Sequence, residues 1–228
     1  EATKEAGLPA GILSILQGGK ESVQAILKSP DIKAVGFVGS TQVAKIIYPE
    51  GSKNLKRVLA LGGAKNHIFL LPDADADLAA TGIVESFLGC AGQRCMAASV
   101  LLAVGDCEAV IQKVLEKANT KKAGDNLGAI ISKASLEFLH QSIEKGEREG
   151  AKLLLDGRTV KVPTEYAGGH WLGPTILDQV KSKSYCATTE LFGPVLSIIR
   201  CKDMNEAIKI ENAVDYGNAA SVFTSNGA

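Results

Sequence analysis

The sequence has no excess of either charge and few aromatic residues. Lys and Arg number 25, Asp and Glu number 25, and aromatic residues make up 5% of 228 positions. No cluster of basic residues with aromatic residues between them occurs along the sequence. We therefore expect neither a nucleic acid nor an anionic membrane surface as partner. No apolar run approaches the roughly 20 residues that cross a bilayer.

The cysteines and histidines lack the spacings that metals and disulfides require. None of the five cysteines belongs to a Cys-x-x-Cys pair, and the three histidines are scattered. Asp73, Asp75 and Asp77 begin like a calcium loop, but no Gly occupies its sixth place and Val84 occupies its twelfth. The same aspartates predict the start of a helix, because carboxylates accept hydrogen bonds from its first backbone amides and favour its dipole. We therefore expect no metal site, no disulfide framework and a reducing compartment.

Strand-like and helix-like stretches alternate along the chain. We predict strands at Gly11–Gln17, Ile32–Val38, Val58–Leu61, His67–Leu71, Ser99–Val104 and Pro194–Arg200. Helical periodicity covers Lys20–Lys28, Gln42–Tyr48, Glu108–Asn119, Lys133–Gly146 and Asn205–Asn212. The pattern predicts an α/β fold with a parallel sheet covered by helices. Gly62-Gly63 separates two α/β blocks, so we place a domain boundary between residues 62 and 63.

Both ends of the chain look like cuts through a larger protein. Glu1–Ala6 has the character of the last turns of a helix that Gly7 and Pro9 stop. Ser221–Ala228 ends just after a strand-like stretch. The sequence does not open with the pattern of a secretory or Arg-rich transit segment, so we expect no targeting segment within it.

Gly92-Gln-Arg-Cys95 is the strongest chemical signal in the sequence. A glycine near the Cys95 thiol gives close backbone access, and the adjacent cation Arg94 favours the thiolate, which is the nucleophile. The alternative interpretation is a structural cysteine that behaves as a small hydrophobic residue.

Four stretches together resemble the aldehyde dehydrogenase superfamily in order and spacing. They are Phe37–Thr41, Leu61–Asn66, Gly92–Cys95 and Glu190–Pro194. Within the superfamily, the strings Gly63–His67, Ala91–Ala97 and Asn226–Ala228 are most similar to the methylmalonate-semialdehyde dehydrogenase group. The resemblance implies a Rossmann-like NAD-binding domain, of which residues 1–62 would be the C-terminal part, and an α/β catalytic domain at 63–228.

The resemblance also implies roles for individual residues. Cys95 would attack the aldehyde carbonyl, and its backbone N–H would help to stabilise the oxyanion. Glu190 would accept hydrogen bonds from the nicotinamide ribose, with Phe192 packed near the same ring; the alternative for Glu190 is a solvated carboxylate before a turn. Gly39 and Ser40 would approach the NAD pyrophosphate where a strand leads into a helix, or Ser40 would only cap that helix.

Leu61 indicates the fate of the acyl group. Lys65 lies 30 residues before Cys95, as the family spacing requires, and this register puts Leu61 where hydrolytic members have a glutamate base. Leucine cannot accept a proton, and water without a base is a poor nucleophile, so a thiol such as coenzyme A is the better acceptor. A hydrolytic NAD(P)-dependent dehydrogenase with another base, or an inactive fragment, remains the alternative.

Arg94 is a candidate for recognising a carboxylate on the substrate. A guanidinium pairs well with the carboxylate that methylmalonate and malonate semialdehydes carry and plain aldehydes lack. The alternative is a solvated arginine, or one that acts only on the Cys95 thiol. With loss of CO₂, the implied products are propanoyl-CoA and acetyl-CoA.

Compared with the family, several parts are missing from the sequence. They are the early cofactor strands, the lysine that holds the adenosine ribose, the oxyanion asparagine and the final oligomerisation segment; the Ala123–Gly128 loop is also shortened. The resemblance implies a homotetramer for the full-length form. It implies a cytoplasmic location in bacteria and the mitochondrial matrix in eukaryotes.

Overall fold

The computed structural model describes residues 2–227. Glu1, the first residue of the predicted helix Glu1–Ala6, lies outside the described residues. So does Ala228, the last residue of the string Asn226–Ala228. The chain divides into two compact units, Glu1–Gly63 and Ala64–Ala228. That the first unit is part of a cofactor domain and the second a catalytic domain stays a prediction.

The first unit contains two parallel strands and three helices. Its elements are α1 (Ala2–Glu5), α2 (Lys20–Lys28), β1 (Ala34–Val38), α3 (Thr41–Lys53) and β2 (Arg57–Leu61). Strands β1 and β2 pair in parallel from Ala34 opposite Arg57 to Val38 opposite Leu61. Helix α3 continues five residues beyond the predicted end at Tyr48 and contains Pro49.

The strand predicted over Gly11–Gln17 is wrong. These residues form turns and irregular backbone, and Ile12, Ile15 and Leu16 are exposed. A strand requires a neighbouring strand to satisfy its backbone groups, and no described strand pairs with this segment.

The second unit is built around a six-stranded sheet. In chain order its elements are β3 (Asn66–Leu70), α4 (Ala76–Leu88), β4 (Ala98–Val104), α5 (Glu108–Asn119), α6 (Lys133–Arg148), β5 (Lys152–Leu155), β6 (Thr175–Asp178), α7 (Tyr185–Thr188), β7 (Val195–Cys201), α8 (Met204–Glu211) and β8 (Ala220–Phe223). The strand order is β5-β6-β7-β4-β3-β8, and every neighbouring pair is parallel except β5 with β6. The predicted α/β class with a parallel sheet is confirmed.

The central strands β3 and β4 are buried along almost their whole length. All five residues of β3 are buried, as are six of the seven in β4, which is typical of parallel sheets packed between helices. Helix α4 begins where the run of aspartates predicts a helix start, since the Asp75 side chain accepts a hydrogen bond from the Leu78 N–H at 2.8 Å. No helix within residues 2–227 combines the length and apolar character needed to cross a membrane.

The chain leaves α4 through a left-handed turn that precedes Cys95. Cys90, Ala91 and Gly92 have φ values of 53°, 53° and 68°. A Cβ atom on Gly92 would overlap the backbone carbonyl of Gly193, and one on Gly193 would overlap the Leu139 side chain. Gly92 is therefore required by its close backbone contact with Gly193, and Gly193 is required by its contact with Leu139.

Gly92→Ala is expected to destabilise the protein strongly. The variant combines left-handed strain of about 1–2 kcal/mol with a steric overlap that no rotamer can relieve, so we expect a total loss of at least ~2 kcal/mol in urea unfolding. Gly128→Ala is the matched control, because a Cβ there meets no atom within 4 Å. Equal losses in the two variants would contradict this role of Gly92.

Candidate active site

A narrow cleft in the second unit brings together four residues that the sequence predicts for the site. Cys95, Arg94, Glu190 and Phe192 all line it, together with Ala64, Phe87, Gly92, Ala97, Ala98, Ser99, Leu191 and Gly193. The cleft therefore contains a thiol, a cation and a carboxylate. Residues Gly39 and Ser40 belong to the first unit.

A larger cleft of the second unit, about 620 Å³, contains none of these residues. It lies between the end of α5 and the segments 155–163 and 173–174. Neither cysteine nor histidine lines it, so chemistry rather than size identifies the candidate active site. Among the described residues, no group of three or more His, Cys, Asp and Glu side chains could hold a metal ion.

The turn that carries Cys95 is fastened through the side chain of Gln93. Its Nε2 donates to the Ala129 carbonyl at 2.9 Å, and its Oε1 accepts from the Ile131 N–H at 2.9 Å. Gln93 thus uses both ends of its amide to join the turn to a distant loop. Cys95 forms no disulfide bond, and it is exposed at the surface of the cleft.

Arg94 is tied to the C-terminal end of α4. Its Nη2 donates to the carbonyls of Glu85 at 3.1 Å and Ser86 at 2.8 Å, both in the last turn of the helix. A cation at this end of a helix also interacts favourably with the helix dipole. Both Nη2 hydrogens are engaged, so a substrate carboxylate would meet Nη1 or Nε rather than a fork that includes Nη2. Carboxylate recognition by Arg94 stays a prediction.

Two asparagines that the sequence analysis left without a role bind the Cys95 carbonyl. The Nδ2 atoms of Asn66 and Asn218 donate to this oxygen at 2.7 and 2.8 Å. Asn66 also donates to the Ala97 carbonyl at 3.0 Å and accepts from the Ala219 N–H at 3.2 Å. The available signal was a carboxamide at the head of a strand that continues into the apolar run Ile68–Leu70, because a buried amide requires partners.

Glu190 is held by the segment that leads into β3. Its Oε1 accepts a hydrogen bond from the Ala64 N–H at 3.1 Å. Phe192, two residues later, has φ 57° and a side chain that is 46% exposed. A left-handed backbone at a non-glycine residue is often found at functional sites. The roles of Glu190 and Phe192 toward a cofactor stay predictions.

Lys65 is buried beside this carboxylate without a hydrogen-bonding partner. Its side-chain amine has none among residues 2–227, and the residue is 3% exposed. Burial lowers the Lys65 pKa from 10.5 to about 8, an effect that Cys186 and Glu190 partly oppose. Burial likewise raises the pKa of the Cys186 thiol, while Lys65 lowers it.

In the first unit, Ser40 caps helix α3. Its Oγ accepts from the Val43 N–H at 3.4 Å, and the Gly39 N–H donates to the Leu61 carbonyl at 3.1 Å. The Ser40 side chain therefore has the capping role that the alternative interpretation gave it. Binding of a pyrophosphate by Gly39 and Ser40 stays a prediction. Leu61 ends β2 with its side chain 48% exposed.

Comparisons with known proteins point to one family. The model described as "Aldehyde dehydrogenase family" matches residues 1–228. The chain is 42% identical to the rat acylating, mitochondrial methylmalonate-semialdehyde/malonate-semialdehyde dehydrogenase, over 99% of this chain and 43% of the rat protein. It is 45% identical to malonate-semialdehyde dehydrogenase 2 of Geobacillus thermodenitrificans, over 98% of this chain and 47% of that protein.

Two solved structures of dehydrogenases are also similar to the chain in fold and sequence. The methylmalonate-semialdehyde dehydrogenase of Oceanimonas doudoroffii is 39% identical with a TM-score of 0.93, over 98% of this chain and 47% of that one. A 1-pyrroline-5-carboxylate dehydrogenase from Thermus with bound NAD is 33% identical with a TM-score of 0.87, over 98% of this chain and 45% of that one. The chain spans slightly less than half the length of the relatives it matches.

Lys65→Met is expected to stabilise the protein at pH 7. The folded state holds the Lys65 pKa at about 8, below the 10.5 of an unperturbed lysine. The unfolded state therefore binds more protons between these values, and the stability of the parent protein rises with pH in that window. The advantage of the variant in thermal unfolding should shrink between pH 8 and 10.5. Lys209→Met, at an exposed position of α8, is the control; an advantage that is absent at pH 7 or constant with pH would contradict the prediction.

Proposed function

The chain belongs to the aldehyde dehydrogenase family, and we propose that it carries the nucleophile of an NAD-dependent, CoA-acylating dehydrogenase of methylmalonate or malonate semialdehyde. One observation carries the proposal: Cys95 and Arg94 share a cleft with Glu190 and Phe192. The similarity to proteins named for these semialdehydes supports the substrate class.

The first step is attack of the Cys95 thiolate on the aldehyde carbonyl carbon. The carbonyl oxygen becomes an oxyanion, and the Cys95 backbone N–H can donate to it because this N–H has no acceptor within residues 2–227. Removal of a hydride from the resulting thiohemiacetal leaves a thioester on Cys95. A family asparagine would add a second donor to the oxyanion, and the sequence contains no residue at that position.

The residues predicted for NAD have a fitting chemistry. Glu190 has one carboxylate oxygen fixed by Ala64 and the second available for ribose hydroxyls. Gly39 and Ser40 lie where β1 leads into α3, a position suited to phosphate groups because helix N-terminal amides point at the ligand. NAD, when bound, accepts the hydride. The protein residues hold and orient the groups around it.

Coenzyme A is the proposed acceptor of the acyl group. Leu61 supplies no base to activate water, whereas a thiol is partly ionised without help. For malonate semialdehyde, the carboxylate leaves as CO₂, a proton takes its place on carbon, and attack by the CoA thiolate releases acetyl-CoA and the free Cys95 thiol. Methylmalonate semialdehyde gives propanoyl-CoA in the same way.

The remaining parts of the proposal concern organisation. Residues 1–62 would be the end of the NAD-binding domain and 63–228 most of the catalytic domain, with the complete form a homotetramer. Related proteins include a mitochondrial rat enzyme and a bacterial one, so the proposed compartment is the mitochondrial matrix in a eukaryote and the cytoplasm in a bacterium.

Acyl-CoA formation tests this function directly. The protein made from the complete reading frame is incubated with malonate semialdehyde, NAD and CoA, and products are followed by mass spectrometry and NADH absorbance. We expect acetyl-CoA, sustained NADH formation only with CoA, and neither in Cys95→Ala. Rapid NADH formation with free acid as product and no dependence on CoA would favour a hydrolytic enzyme, and no turnover would overturn the proposal.

Replacement of Arg94 tests recognition of the substrate carboxylate. Because a hydrogen bond to a charged group contributes about 1.5–3 kcal/mol, Arg94→Leu should lower kcat/KM for malonate semialdehyde relative to propanal by roughly tenfold or more. The ratio of the two substrates cancels any general loss of stability from removing the contacts with α4. Arg148→Leu, at an exposed position of α6, is the control. An unchanged ratio in Arg94→Leu would show that Arg94 only fastens the turn.

A further inference from the structure

The Cα atom of Cys95 lies between two peptide groups that are both held by hydrogen bonds. The carbonyl of the preceding peptide, that of Arg94, accepts from the Ala97 N–H at 3.1 Å. The carbonyl of the following peptide, that of Cys95 itself, accepts from Asn66 at 2.7 Å and Asn218 at 2.8 Å. With both peptide planes fixed, the backbone angles at Cys95 and the direction of its Cα–Cβ bond are also fixed.

Asn66 reaches the catalytic turn because the strand pairing is irregular at this residue. It pairs with Ala98, whereas the next residue, His67, pairs with Val100, so the register shifts between Asn66 and His67. Such bulges redirect side chains and are frequent next to active sites. The Asn66 side chain is 4% exposed, and its three hydrogen bonds join the turn to the residues before β8.

Asn218 approaches the same oxygen from another segment. It lies two residues before β8, is exposed, and makes its hydrogen bond to Cys95 across 123 positions of sequence. A carbonyl oxygen has two lone pairs, and here two amide groups from distant parts of the chain use them. A space-filling role would not require two donors on one atom.

We propose that Asn66 and Asn218 are positioning residues for the nucleophile, holding the Cys95 carbonyl so that the thiol and backbone N–H of Cys95 are presented together to the substrate. The inference rests on the proposed function in taking Cys95 as the nucleophile. Neither asparagine touches the reacting atoms. Their effect arises because displacement of a reacting group by about 1 Å can cost a hundredfold in rate.

The two amide groups also have an electrostatic effect on the thiolate. Their N–H dipoles compensate the negative end of the Cys95 carbonyl, which would otherwise lie beside the developing charge on sulfur. An aspartate at position 218 would keep the shape of asparagine, lose the donor and add a negative charge. Replacement of Asn218 by aspartate should therefore lower the reactivity of Cys95 more than replacement by alanine.

Alkylation of Cys95 by iodoacetamide measures this role without aldehyde, NAD or CoA. The protein from the complete reading frame is alkylated between pH 6 and 10 and cleaved with trypsin, which cuts after Arg94 and so separates Cys90 from Cys95. The rate at Cys95 is compared in the parent, Asn218→Ala and Asn218→Asp. Asn212→Asp, at an exposed position just after α8, adds the same charge without a contact to Cys95.

We expect alkylation at pH 7.5 to slow about tenfold in Asn218→Ala and further in Asn218→Asp, with the half-maximal rate reached at higher pH. In turnover, kcat should fall by a similar factor while KM for NAD changes less than twofold. If Asn66→Ala folds, its alkylation at Cys95 should also slow. The Asn218 variants decide the test, because Asn218 is exposed and its replacement disturbs the fold less than replacement of the buried Asn66.

Parent-like alkylation and kcat in both Asn218 variants would overturn the proposal. So would an equal effect in Asn212→Asp, because the charge alone would then explain the result. Failure of the parent to oxidise a semialdehyde would instead overturn the proposed function, and the alkylation comparison would still report on positioning.

Discussion

The close contact between the backbones of Gly92 and Gly193 is the constraint on which the rest of the site depends. Any side chain at Gly92 would overlap the Gly193 carbonyl, so the turn before Cys95 and the segment after Glu190 can approach only as bare backbone. This approach places a thiol and a carboxylate from distant parts of the sequence in one cleft. The two motifs are thus two sides of one packing contact.

A turn that contains three consecutive left-handed residues is strained, and the surrounding hydrogen bonds offset that strain. Gln93 binds a distant loop, Arg94 binds the end of α4, and Asn66 and Asn218 bind the Cys95 carbonyl. Each of these side chains is polar and makes contacts with backbone. These contacts fasten the backbone that carries the Cys95 thiol, as the proposed role of Cys95 as a nucleophile requires.

Much of the architecture could be predicted from the sequence because alternating apolar stretches determine strands and helices locally. Confirmed on that basis are the α/β class, the parallel sheet and the helix start at Asp75. The segment Gly11–Gln17 was predicted wrongly because apolar character does not supply a partner strand. Asn66 was overlooked because its position depends on a register shift between β3 and β4, which no local pattern encodes. The partners of Arg94 lie only eight and nine residues earlier, but the contact depends on how the chain turns back after the end of α4.

Trapping the acyl-enzyme tests the central claim, that Cys95 forms the thioester, most directly. The protein from the complete reading frame is treated with malonate semialdehyde and NAD without CoA, quenched in acid, digested with trypsin and analysed by mass spectrometry. We predict a covalent acyl group on Cys95, at the start of the tryptic peptide that follows Arg94, and its disappearance when CoA is added before quenching. NADH formation with no acyl group on Cys95, or with the acyl group on another residue, would contradict the account.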